Sequence, residues 1–110
     1  MKFVFFILSS LFFISCIDQV NKPSPEVNVV EVGKKFYINL PEDHTTGYIW
    51  QLSNAYDDNK LTYLSAVFHG NEKGINFNFE GLEKGKTKLD FTLIKYHDTS
   101  AVKSFIIEVK

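Results

Sequence analysis

The chain has 110 residues, length for one domain, with twelve basic residues against thirteen acidic ones and a formal net charge of −1. The two signs are interspersed, and without a basic stripe to follow a phosphate backbone the composition argues against a nucleic-acid partner. Cys16 is the single cysteine, so no intrachain disulfide forms. A small fold must then be held together by its apolar residues, 45% of the sequence.

The chain begins with Met1-Lys2, followed by an apolar run from Phe3 to Ile14 broken only by Ser9 and Ser10. This run falls short of the roughly 20 apolar residues a transmembrane helix needs and has the length of a signal-peptide h-region. Phe13-Ile14-Ser15 in front of Cys16 resembles a bacterial lipobox. That resemblance implies removal of residues 1–15 and acylation of Cys16. The protein would then be exported and lipid-anchored in the bacterial cell envelope, at the outer membrane or cell surface. The plainer alternative is an ordinary signal peptide followed by a free thiol. From Cys16 onward, eleven lysines face thirteen acids, leaving two net negative charges. Asn21, Pro23, Ser24 and Pro25 interrupt a stretch without periodicity, so residues 16–26 read as anchor and flexible tether. The folded domain is expected over residues 27–110.

Within that domain the apolar period is two, the signature of half-buried strands. Val27, Val29, Val30 and Val32 mark a first strand ended by Gly33, and Phe36, Ile38 and Leu40 a second ended by Pro41. Tyr48, Trp50 and Leu52 mark a third. Asn54 to Lys60 is polar and reads as a loop, and Leu61 to Phe68 is a less regular strand. Ile75, Phe77 and Phe79 alternate with Asn76, Asn78 and Glu80 up to Gly81. Leu89, Phe91 and Leu93, then Phe105, Ile107 and Val109, complete the pattern. No amphipathic helix, repeat or low-complexity tract interrupts it.

About seven short strands separated by turn residues predict an all-β, immunoglobulin-like, two-sheet antiparallel β-sandwich. Trp50, the one tryptophan, is expected between the sheets. The turns Pro41 to Gly47, His69 to Gly74 and Lys95 to Ser100 should then share one end, and loops on a rigid sandwich commonly bind. These turns are longer than minimal hairpin connections.

The segment Thr45-Thr46-Gly47-Tyr48-Ile49-Trp50, behind Leu40-Pro41, resembles the first signature of the chagasin family of cysteine peptidase inhibitors. That signature is Asn-Pro-Thr-Thr-Gly-aromatic-x-Trp. Asp43 stands where Asn is usual and His44 where Pro is usual, and loss of the proline's fixed φ predicts a more mobile loop. The family's second loop is glycine-rich, and Gly70-Asn71-Glu72-Lys73-Gly74 occupies its place with only Gly70 in register. The third begins Arg-Pro-aromatic, and Lys95-Tyr96-His97 stands there. Lys95 keeps the charge without the guanidinium fork.

The resemblance implies a monomeric inhibitor whose partner is a papain-family cysteine peptidase, blocked reversibly by three loops. The tip Asp43, His44, Thr45, Thr46 and Gly47 would enter the cleft, its glycine permitting close approach and its Thr hydroxyls meeting the enzyme. Gly70 to Gly74 and Lys95 to His97 would straddle the cleft, with Thr46, Tyr96 and His97 as anchors. Tyr48 reads as a strand residue beneath the loop.

No enzyme, cofactor or metal is indicated. Cys16 lies in the leader region, and His97, Asp98 and Ser100 are sequence neighbours, which does not build a triad. His44, His69 and His97 have no hairpin or helical ligand spacing. The rival reading is a lipid-anchored immunoglobulin-like module that binds another protein or a surface glycan through the same loops. A structural envelope domain without loop function is a third.

Overall fold

In the computed structural model, which describes residues 17–110, eight strands are joined by loops and one 3₁₀ turn. The strands are β1 (Asp18–Gln19), β2 (Val27–Val30), β3 (Lys35–Leu40), β4 (Ile49–Leu52), β5 (Leu61–Phe68), β6 (Ile75–Gly81), β7 (Gly85–Lys95) and β8 (Asp98–Val109). The apolar leader and Cys16 lie outside the described residues.

The period-two pattern produces this architecture directly. Phe36, Ile38 and Leu40 of β3 and Phe77 and Phe79 of β6 turn inward from one sheet. Trp50, Leu89, Phe91, Phe105, Ile107 and Val109 turn inward from the other. Phe77 and Phe91 meet across the layers with ring centroids 4.8 Å apart. The expected all-β sandwich is therefore present, in sheets ordered β1-β3-β6-β5 and β2-β8-β7-β4. Trp50 is buried as expected, and its indole N–H donates to the Pro41 carbonyl at 2.7 Å.

Three features differ from the sequence reading. The sheets are mixed rather than wholly antiparallel, because β1 pairs with β3 and β2 with β8 in parallel. The chain alternates layers along β1, β2 and β3 and reverses direction at each crossing. β1 and β3 thus lie in one sheet running the same way, while β2 takes the open edge of β8 in the other.

Secondly, part of the expected tether is packed. Asp18–Gln19 pairs along β3, Val20 is buried in the core, and Asn28 holds the Lys22 backbone through both ends of its amide. The folded region thus begins well before Val27.

Thirdly, β7 and β8 run past the apolar pattern and are joined by only Tyr96 and His97, a two-residue connection. Leu93 pairs with Ala101 but Ile94 with Thr99, so Ser100 is the extra residue of a β-bulge. This hairpin tip rises beyond the core, where pairing persists without burial and leaves no periodic signal.

Candidate functional site

The three turns converge at one pole. The β3–β4 loop contributes Asp43 to Gly47, the β5–β6 loop His69 to Gly74, and the β7–β8 tip Lys95 to Asp98. A depression between them is lined by Pro41, Asp43, Thr46, Tyr48, Asn71 and Ser100.

The first loop is built as a small capped turn. Asp43 is the N-cap of the 3₁₀ turn His44–Thr46, and its carboxylate accepts from the Thr45 N–H at 2.9 Å and the Thr45 hydroxyl at 2.6 Å. These bonds, the hydroxyl's foremost, hold the Asp43 carboxyl below its usual pKa. The Thr46 hydroxyl donates to the Asp43 carbonyl at 2.8 Å and accepts from the Tyr48 N–H at 3.2 Å. Gly47 closes the turn at φ 84°, and a Cβ there would lie 3.0 Å from Lys95 Cε. Both hydroxyl protons are therefore engaged inside the loop in the free protein.

His44, where the family pattern has proline, does not leave the loop slack. Its ring stacks on Phe68 at a centroid distance of 3.7 Å and an interplanar angle of 11°. Nε2 lies 2.7 Å from the Glu42 carboxylate, and the His44 backbone N–H donates to Asn71 Oδ1 at 3.0 Å. A three-way tether thus stands where the family pattern has the proline's fixed φ.

Glu42 was not legible as a site residue, since an acid beside a proline in a turn reads as solvent-facing. It is 4% exposed, and Oε1 accepts the Trp50 backbone N–H at 2.7 Å while Oε2 meets His44. One carboxylate therefore joins the tip of the loop to the core strand.

The second loop turns back on Gly70 and Gly74. His69 N–H donates to the Gly74 carbonyl at 2.8 Å, and Gly74 N–H to the Gly70 carbonyl at 2.8 Å. Gly74 has φ 78°, and a Cβ there would come within 2.3 Å of the Leu40 carbonyl. The loop is thereby pressed against the root of the first. Asn71, Glu72 and Lys73 are exposed.

Tyr48 departs from its reading as a strand residue. It precedes β4, is half-buried, and its hydroxyl hydrogen-bonds the Asp98 carboxylate across to the third loop. That bond raises the phenol's pKa above its ordinary value. Lys95 Nζ lies 5.7 Å from the centre of the same ring. Tyr96, with φ 56°, is 89% exposed and His97 is exposed beside it. The candidate residues are thus brought into one surface, cross-linked by Asn71, Tyr48 and Asp98. Among the described residues no cluster of three or more His, Cys, Asp or Glu could hold a metal ion.

The structure is similar to that of the cysteine protease inhibitor EhICP2 from Entamoeba histolytica. That likeness has a TM-score of 0.70 at 13% identity, covering 86% of this chain and 95% of that one. It is also similar to the solution structure of amebosin, with a TM-score of 0.58 at 14% identity over 87% and 100% of the two chains. No curated protein sequence matches the chain. The model of the chagasin family of peptidase inhibitors, I42, matches residues 29–109. A match of that extent, over a sandwich carrying the family's first-loop signature, places this chain in the chagasin family, whose members are inhibitors and not enzymes.

Proposed function

We propose that the protein inhibits papain-like cysteine peptidases by docking its three-loop pole reversibly into the active-site cleft. The observation that carries this reading is the internal locking of the first loop. Asp43, Thr45, Thr46 and Glu42 satisfy one another and the backbone, so the wedge meets a cleft without first being ordered. Preorganisation of this kind raises affinity by lowering the entropy lost on docking. Thr45, Thr46 and Gly47 form the central wedge, with Gly70 to Gly74 on one flank and Lys95, Tyr96 and His97 on the other. The known inhibitor EhICP2, similar in fold, supports the choice of a cysteine peptidase as partner.

The proposal includes the anchor. β1 runs parallel to β3, which leads into the first loop, so Asp18 beside Phe36 lies at the pole remote from the loops. A lipid on Cys16 would leave the loops facing away from the membrane, with a connector of one or two residues rather than ten. Detergent partitioning of the expressed protein should be abolished by Cys16→Ser. Retention of that variant in the detergent phase would remove the lipid from this reading.

The inhibitory role is tested by titrating papain with the purified protein and following hydrolysis of a small fluorogenic substrate. Stoichiometric loss of activity, recovered after dilution, is expected. Full papain activity at micromolar protein would overturn the papain-like target class, and inhibition that never recovers on dilution would overturn reversibility.

A further inference from the structure

We propose that the outer face of the sheet β1-β3-β6-β5 is a second binding site, for a neutral oligosaccharide. It is distinct from the loop pole except where the two meet at His69 and Lys73. The solvent faces of the two sheets differ in chemistry. On the β2-β8-β7-β4 sheet the outward residues include Lys86 opposite Glu108, and Lys88 with Asp90, the ordinary charged cover of a sandwich. On the other sheet the middle rows are uncharged. One row reads Gln19, Tyr37, Asn78, Ser65 across four strands, and the next sets Asn39 beside Asn76. Amides and hydroxyls here replace the usual lysines and glutamates.

The face also holds a shallow recess. An open depression of 360 Å³ is lined by Gln19, Tyr37, Asn39, His69, Lys73 and Asn76. That is within the size range of small-ligand sites, which are few per protein and place a few fixed polar groups beside an aromatic.

Asn76 is held at both ends of its amide, whereas Asn39, Asn78 and Gln19 are each held at one end, which leaves the other directed by the fold. Asn39 Nδ2 donates to the Lys73 carbonyl at 2.8 Å and to Asn76 Oδ1 at 2.7 Å. Asn76 Nδ2 donates to His69 Nε2 at 3.3 Å, and Asn78 Nδ2 donates to Ser65 Oγ at 3.1 Å. The Tyr37 hydroxyl donates to Gln19 Oε1 at 3.4 Å. Among the described residues no protein partner engages Asn39 Oδ1, Asn78 Oδ1 or Gln19 Nε2. The surface thus offers fixed acceptors and donors around the Tyr37 ring.

A sugar hydroxyl both donates and accepts, and the apolar face of a pyranose packs on an aromatic ring, so a neutral saccharide matches this pattern. An anionic ligand would find only Lys73 among the lining residues, and an apolar one would strand the amides.

The test is a titration of the full-length, isotope-labelled protein in detergent with cellotetraose, chitotetraose and mannotetraose, followed by amide NMR. A heparin tetrasaccharide serves as the charged control. At least one neutral tetrasaccharide should shift the amides of Gln19, Tyr37, Asn39 and Asn76 with a Kd of about 1 mM or tighter. Tyr37→Ala and Asn78→Ala should each weaken that binding about tenfold or more while inhibition of papain stays unchanged. If Tyr37→Ala does not fold, Asn78→Ala decides. No shift with any neutral sugar, binding of the heparin fragment alone, shifts confined to the loop pole, or undiminished binding in the variants would each overturn the proposal. The readout does not involve a peptidase, so its failure and that of the inhibitory reading are separable.

Discussion

Glu42 and Asp43 are adjacent acids with different work. Glu42 is buried and accepts the Trp50 N–H, so Glu42→Ala leaves that donor without its carboxylate and should destabilise the fold by about 1–3 kcal/mol. A thermal melt checks this, and an unchanged midpoint would show the bond to be dispensable. Asp43 is exposed, and its contribution is read through pH. Its folded pKa is depressed, so its bonds to Thr45 persist fully above the unfolded value of about 3.9 and fail as pH falls through the lower folded value. The Thr45 amide resonance should therefore titrate with a midpoint below 3.9; a midpoint at or above it would contradict the cap. Tyr96, 89% exposed, has no comparable structural duty. Tyr96→Ala should leave the melt unchanged and weaken inhibition about tenfold, the loss of one aromatic anchor. Undiminished inhibition would take Tyr96 out of the contact surface.

At the scale of the element, the first loop depends on the second. Gly74→Ala puts a Cβ 2.3 Å from the Leu40 carbonyl at a residue with φ 78°. Backbone strain alone should cost about 1–3 kcal/mol. Either the stability or the position of the β5–β6 loop has to yield, and both reach the tip through Asn71 and His44. A crystal structure and melt of the variant decide which. Lengths of elements were only partly legible in the sequence. β3 and β6 bury every second side chain, and their alternation is plain to read. The far ends of β7 and β8 bury almost nothing, so Lys95 to Ser100 looked like a loop although Lys95 pairs with Asp98 and Ile94 with Thr99. Hydrophobic periodicity reports burial, and here pairing outlasts burial.

Across the whole molecule, the layer-crossing start of the chain ties residues 18–22 to the domain. Val20 is 4% exposed beside β3, and Val20→Asp should unfold or strongly destabilise the protein, whereas a tether residue would tolerate the change. Circular dichroism and a melt distinguish these outcomes. Trp50→Ala should cost about 3–5 kcal/mol, since it empties the space between sheets and removes the bond to Pro41. An unaltered melt would contradict the central place of Trp50.

By itself the sequence determined the two-layer β architecture and the position of Trp50. Both follow from local alternation, which needs no knowledge of what lies opposite. It also located the first two loops, because Pro41, Gly47, Gly70 and Gly74 break the strands where they stand. Only the tertiary structure decided that Glu42 is buried, that His44 is clamped on Phe68, and that Tyr48 reaches Asp98. Each of these joins residues on separate strands or turns, and their chemistry arises from sheet register rather than from spacing along the chain. The parallel placement of β1 belongs there too, since two residues are too few to carry a period and are defined only by their pairing with β3.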